Sequence, residues 1–149
     1  MYLWIDNIIT GLKETYGINN IYDLYDFLNI KIINLEQNNI LLSNNEAFYY
    51  RNYLGSEIVF IRNDLNFSYA KFILAHELGH ALLHTHIYEA TFNKKNLINM
   101  GKLEKQANYF AIKLLNIELD PIECEGFTLK QIASYLEIPE NLLNGMVEK

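Results

Sequence analysis

The chain has 149 residues, half of them apolar and a fifth charged, with a formal net charge of −6; this is the make-up of one globular domain over 1–149 able to bury a core without staples. Its 12 lysines and arginines are scattered among 18 acidic residues, which argues against a nucleic-acid or anionic-membrane surface as the main partner. The single cysteine, Cys124, excludes an internal disulfide, and neither a leader segment nor a membrane-length apolar run is visible, so the expected location is the cytoplasm.

Taken in order, Leu3, Trp4, Ile8, Ile9 and Leu12 make a helical stripe over 2–16 that stops before Gly17. Asn20 is placed to cap a second helix with Tyr22, Leu24, Tyr25 and Leu28 as its apolar positions. From Ile30 the pattern changes to short β-rich runs over 30–35, 40–43, 48–53 and 57–62, separated by Asn38-Asn39, Asn44-Asn45 and Gly55. These predict a small antiparallel sheet. Its last strand runs almost directly into a helix capped by Asn66 or Ser68, so a strand of the sheet, plausibly an edge one, should border whatever that helix carries.

That helix carries His76, Glu77 and His80. Four residues apart on a helix, the two imidazoles are offset by roughly 40° and can reach one ion, while Glu77 stands at roughly 100° to His76, beside a metal rather than on it. Two neutral nitrogen ligands and a free carboxylate are the parts of a zinc hydrolase, the carboxylate taking a proton from water activated by the ion. Leu74, Ala75, Leu78, Ala81 and Leu82 occupy the rest of the helix, which makes it a core helix with one polar corner.

Catalytic zinc sites ordinarily have a third protein ligand, and His84, His86, Glu89 and Glu104 are the candidates. His84 lies roughly 12 Å along the axis from His76, too far for the same ion. His86 falls where metzincins place a third histidine, but those enzymes turn the chain at a glycine three residues after the second histidine, and Leu83 stands there. Glu104 is favoured, because Glu104, Ala107, Asn108 and Ala111 share a narrow helical face with small residues that let another helix approach. A solvated charge within Lys-Leu-Glu-Lys is the competing reading. Asn108 could hydrogen-bond a ligand from behind.

Between these helices, 85–101 reads as a polar, irregular loop over the site, and 102–116 returns to helical periodicity. Thr128 then caps a short helix through Leu136, and Pro139 opens a last one. That pair has the outline of a helix-turn-helix, but Lys130 is its only basic residue before Lys149, too little charge for a recognition helix.

Two segments carry a family resemblance: Leu74-Ala-His-Glu-Leu-Gly-His-Ala-Leu-Leu-His84, and Glu104-Lys-Gln-Ala-Asn-Tyr-Phe-Ala111 followed by Leu114-Leu115. Together they resemble the ImmA/IrrE-type metallopeptidases, over most of the chain from about Ile21. The resemblance implies an α+β, zincin-like metallopeptidase fold with the His-Glu-x-x-His helix central. It also implies zinc ligation by His76, His80 and Glu104, with Glu77 catalytic. Members are typically cytoplasmic bacterial or phage proteins that cut a helix-turn-helix repressor of a mobile element or stress response. Asn116 replaces a common proline here, and Tyr69-Ala-Lys71 replaces a basic run; the second bears on recognition rather than chemistry.

The leading expectation is therefore a zinc endopeptidase, with Mn²⁺ and Fe²⁺ left open, acting on a protein substrate laid along an edge strand. His84, Tyr88 and Tyr109 are candidates to contact substrate or oxyanion. The rival is a non-catalytic, metal-containing protein that regulates a repressor by binding it, for which a glutamate at position 77 has no purpose.

Overall fold

Residues 2–17, 20–93, 101–116, 126 and 128–136 are described by the computed structural model. Helix α1, Leu3–Tyr16, ends where Gly17 takes a left-handed conformation (φ 58°), and α2, Ile21–Phe27, starts with the Asn20 side chain accepting from the amide of Asp23 at 2.9 Å. Ile9 is buried and Ile8 and Leu12 pack against the core as expected, but Leu3 and Trp4 face outward and Ile5 takes the inward place in the first turn.

Strands β1 (Ile30–Leu35), β2 (Ala47–Arg51), β3 (Glu57–Arg62) and β4 (Glu89–Phe92) form one sheet in the order β1-β3-β2-β4. It is mixed rather than wholly antiparallel: β1 pairs with β3 in parallel, and β2 is antiparallel to both β3 and β4. The chain reverses between β1 and β2 and again between β2 and β3, so β1 and β3 run the same way. The expected strand over 40–43 is instead a 3-10 turn, Ile40–Leu42. There the Asn39 side chain accepts from Leu41 N, Ser43 and Asn44 adopt positive φ, and only Leu42 of the three apolar residues is buried. Strand β2 stops at Arg51 because the Asn52 carboxamide accepts from the amides of Leu54 and Ser56, bending the chain into a turn through Gly55 (φ 92°).

Strand β4 lies inside the stretch expected to be an irregular loop. Its four residues alternate outward and inward, ending on buried Phe92, a pattern too short to register in sequence. Residues 94–100 of that stretch, Cys124, and the helix expected from Pro139 lie outside the described residues.

Helix α3, Phe67–Leu83, is capped by Asn66, whose side chain accepts from Tyr69 N at 2.8 Å. Every residue from Phe72 to Ala81 is buried, because α3 packs against α2, the sheet and α4 (Lys102–Asn116) together. The Tyr25 hydroxyl donates to the Leu74 carbonyl at 2.7 Å and ties α2 to it. The approach to α4 is close at Gly79, where an added Cβ would lie 3.2 Å from the Cα of Ala107; only small residues allow this. Helix α5, Leu129–Leu136, begins with a reciprocal cap, Gln131 N donating to Thr128 Oγ1 and Thr128 N to Gln131 Oε1. Among the described residues no helix is long and apolar enough to cross a membrane.

Candidate metal centre

The close packing of α3 on α4 sets two histidines against one carboxylate. His76 Nε2 lies 3.1 Å from Glu104 Oε1, and His80 Nε2 lies 3.0 Å from Glu104 Oε2. One donor atom from each of the three side chains falls within 4.8 Å of the others. Ligands about 2.0–2.1 Å from a tetrahedral ion are spaced by about 3.3 Å, so the three donors fit a single cation with little movement.

Hydrogen bonding behind the site supports the same conclusion. His76 Nδ1 lies 2.6 Å from Asn108 Oδ1, an oxygen that only accepts, so Nδ1 carries the proton and Nε2 presents a lone pair to Glu104. Two acceptors 3.1 Å apart call for a cation between them. The His80 contact lacks hydrogen-bond alignment altogether: His80 Nε2, like both carboxylate oxygens of Glu77, has no partner among the described residues. Buried polar atoms are nearly always paired in native proteins. An imidazole nitrogen and a carboxylate left unpaired among the described residues, both buried on α3, have the donor chemistry of a site that takes a divalent ion and a polar ligand.

Electrostatics sort the groups by role. Burial, and after it the charge of Glu104, pushes the Glu77 carboxyl well above the ordinary range. For Glu104, burial acts upward, but the closeness of the His76 and His80 imidazoles outweighs it and holds the carboxyl below its usual range. Burial keeps His80 and His84 low, hence neutral and able to ligate or accept. The site opens on the Glu104 side, whose side chain is 40% exposed while those of both histidines are 1% exposed.

Other candidates fall elsewhere. His84 is buried with both ring nitrogens engaged, Nδ1 at 3.0 Å from His80 Nδ1 and Nε2 at 2.8 Å from Gln106 Oε1, which withdraws it from substrate. Tyr109 is turned to α1, its hydroxyl donating to Asp6 at 2.9 Å. Tyr88 is exposed beneath the Arg51 guanidinium, and His86 and Glu89 are exposed as well. Two neighbours went unread in sequence. Phe92, at the end of edge strand β4, sets its ring 4.9 Å from that of His76, so an edge strand does border the site. Gln106 is the other, and no periodicity singles out an amide two residues from Glu104.

Comparison with known proteins matches residues 28–148 to the peptidase family described as the IrrE N-terminal-like domain. The chain belongs to this family. It is a metallopeptidase, and His76, His80 and Glu104 are residues that could hold its metal. Over 143 residues the chain is 32% identical to Metallopeptidase ImmA of Bacillus subtilis (strain 168), covering 91% of this chain and 79% of that protein. Over 143 residues it is 27% identical to the Uncharacterized immunity region protein 2 of Bacillus phage phi105, covering 95% of this chain and 87% of the relative. The mixed α+β architecture with a four-stranded sheet agrees with the zincin-like fold of the family.

Proposed function

We propose that this metallopeptidase is a cytoplasmic zinc endopeptidase that cleaves a helix-turn-helix repressor of a mobile element. The observation that carries the reading is the convergence of His76, His80 and Glu104, with Glu77 on the same helix as the histidines buried and without a hydrogen-bond partner among the described residues. The three converging residues would hold the ion, which when bound polarises the scissile carbonyl and acidifies water. Asn108 holds the His76 ring by accepting from Nδ1–H.

Glu77 is the general base in this reading. A carboxylate oxygen accepts a proton from the attacking water and returns it to the leaving amide nitrogen. A carboxyl whose pKa is lifted by burial is the stronger base, and it holds the proton until the leaving nitrogen takes it. Substrate would lie along β4. The carbonyls of Tyr88 and Phe92 are taken by Arg51 N and Glu46 N, so by alternation the backbone groups of Glu89 and Thr91 face the open edge and can pair with an extended peptide. The repressor is suggested by the phage relative, whose name places it in an immunity region.

The test is to incubate wild type and Glu77→Gln with Zn²⁺ and a purified helix-turn-helix repressor from the same genome. Cleavage by wild type alone is expected. Equal binding by both proteins with no cleavage by either would make the protein a regulator that acts by docking.

A further inference from the structure

His84 stands behind His80 with both ring nitrogens committed, and the two contacts depend on one another. Its Nε2 lies 2.8 Å from Gln106 Oε1 and its Nδ1 lies 3.0 Å from His80 Nδ1. His84 and Gln106 are 2% and 5% exposed, so water is poorly placed to substitute for either. An amide oxygen only accepts, so Nε2 of His84 carries a proton; a neutral imidazole has one N–H, so Nδ1 of His84 is a lone pair. Among the described residues that lone pair is met by a proton on His80 Nδ1. His80 Nε2 is then bare, on the side where Glu104 Oε2 lies 3.0 Å away.

His76 reaches the same state in one step, through Asn108. For His80 the information passes through two residues. With the Gln106 amide turned over, its NH₂ would donate to His84 Nε2, His84 Nδ1–H would donate to His80, and the proton would sit on His80 Nε2 and obstruct a metal.

We propose that Gln106 and His84 form a tautomer relay that keeps His80 Nε2 free to bind metal. This rests on the reading of His76, His80 and Glu104 as the ligands. Both are positioning residues, acting on the ion only through His80. Partners of this kind are commonly worth about 10- to 100-fold in metal affinity.

The first test is long-range ¹H–¹⁵N NMR on the zinc-loaded protein, with no substitution. The expected spectrum has His84 singly protonated, on Nε2; a proton on Nδ1, or on both nitrogens, overturns the relay. The second is Zn²⁺ affinity by competition with a chromophoric chelator. His84→Leu and Gln106→Leu should each bind about 10- to 100-fold more weakly. His84→Asn, which can offer an amide oxygen near the place of Nδ1, should recover much of the loss, a rescue that a purely packing role would not give. Undiminished affinity in both leucine variants, or equal loss in His84→Asn and His84→Leu, refutes the relay. Wild type that binds no Zn²⁺ refutes instead the metal-centre reading beneath it.

Discussion

Glu77 should make the metal-free protein less stable than it needs to be, and increasingly so as pH rises. Its side chain is 0% exposed and neither carboxylate oxygen is paired among the described residues. Burial first, and Glu104 second, lift its folded pKa well above the ordinary glutamate value. Between the unfolded and folded values the native chain holds a proton that the unfolded chain has released, so this group's contribution to stability falls with pH, by at most about 1.4 kcal/mol per unit. Replacing Glu77 with Gln abolishes that term while keeping the shape. The variant should match wild type near the unfolded pKa, pull ahead through the window above it, and level off beyond the folded pKa. Leaving a buried polar group unsatisfied costs about 1–3 kcal/mol, more when charged, which sets the scale of the gain. Glu104 has the opposite sign, its depressed pKa adding stability above the unfolded value that is lost as pH falls; it is present in both proteins and largely cancels in the difference. The assay is urea unfolding with EDTA present at several pH values from about 5 to 8. The same substitution should lower peptide cleavage by about 10²- to 10⁴-fold. A stability difference that is flat or shrinks with pH would show that the carboxylate is well solvated, and the argument from burial would fail.

Gly79→Ala should destabilise the fold and weaken metal binding together. The new Cβ meets the Cα and carbonyl oxygen of Ala107 at 3.2 and 3.3 Å, backbone atoms that yield only if α4 moves; overpacking costs about 1–3 kcal/mol against about 1 kcal/mol gained in helix propensity. Thermal unfolding and a zinc titration of the same sample check both effects. Asn108→Leu removes the acceptor at 2.6 Å from His76 Nδ1 and should weaken Zn²⁺ binding by about 10- to 100-fold, read by chelator competition. Thr91→Pro removes an amide at the open edge of β4 while leaving its pairing with β2 intact; KM for a peptide substrate should rise with little change in unfolding midpoint.

What could be read from sequence was mostly what local rules decide. The caps at Asn20, Asn66 and Thr128 follow from side chains that bond backbone amides two or three residues on, and each forms. The meeting of His76 and His80 follows from helical pitch alone. Glu104 required a further step, inferring from Ala107 and Ala111 that a second helix could come close, and the contact at Gly79 is where it does. Harder to read were features that depend on several distant segments. The parallel pairing of β1 with β3 depends on how many times the chain turns between them. Strand β4 has four residues and a polar start, too little pattern to stand out from a loop. Gln106 gains its part from His84, 22 residues earlier, a relation that no periodicity encodes.

The unbroken enclosure of α3 from Phe72 to Ala81 constrains how this lineage can diversify. A segment with no outward side has scarcely any silent positions, since each replacement disturbs packing before it alters preference. Substitutions that leave the interior undisturbed are therefore confined to exposed positions such as Tyr53, Leu54 and Tyr88, outside this helix.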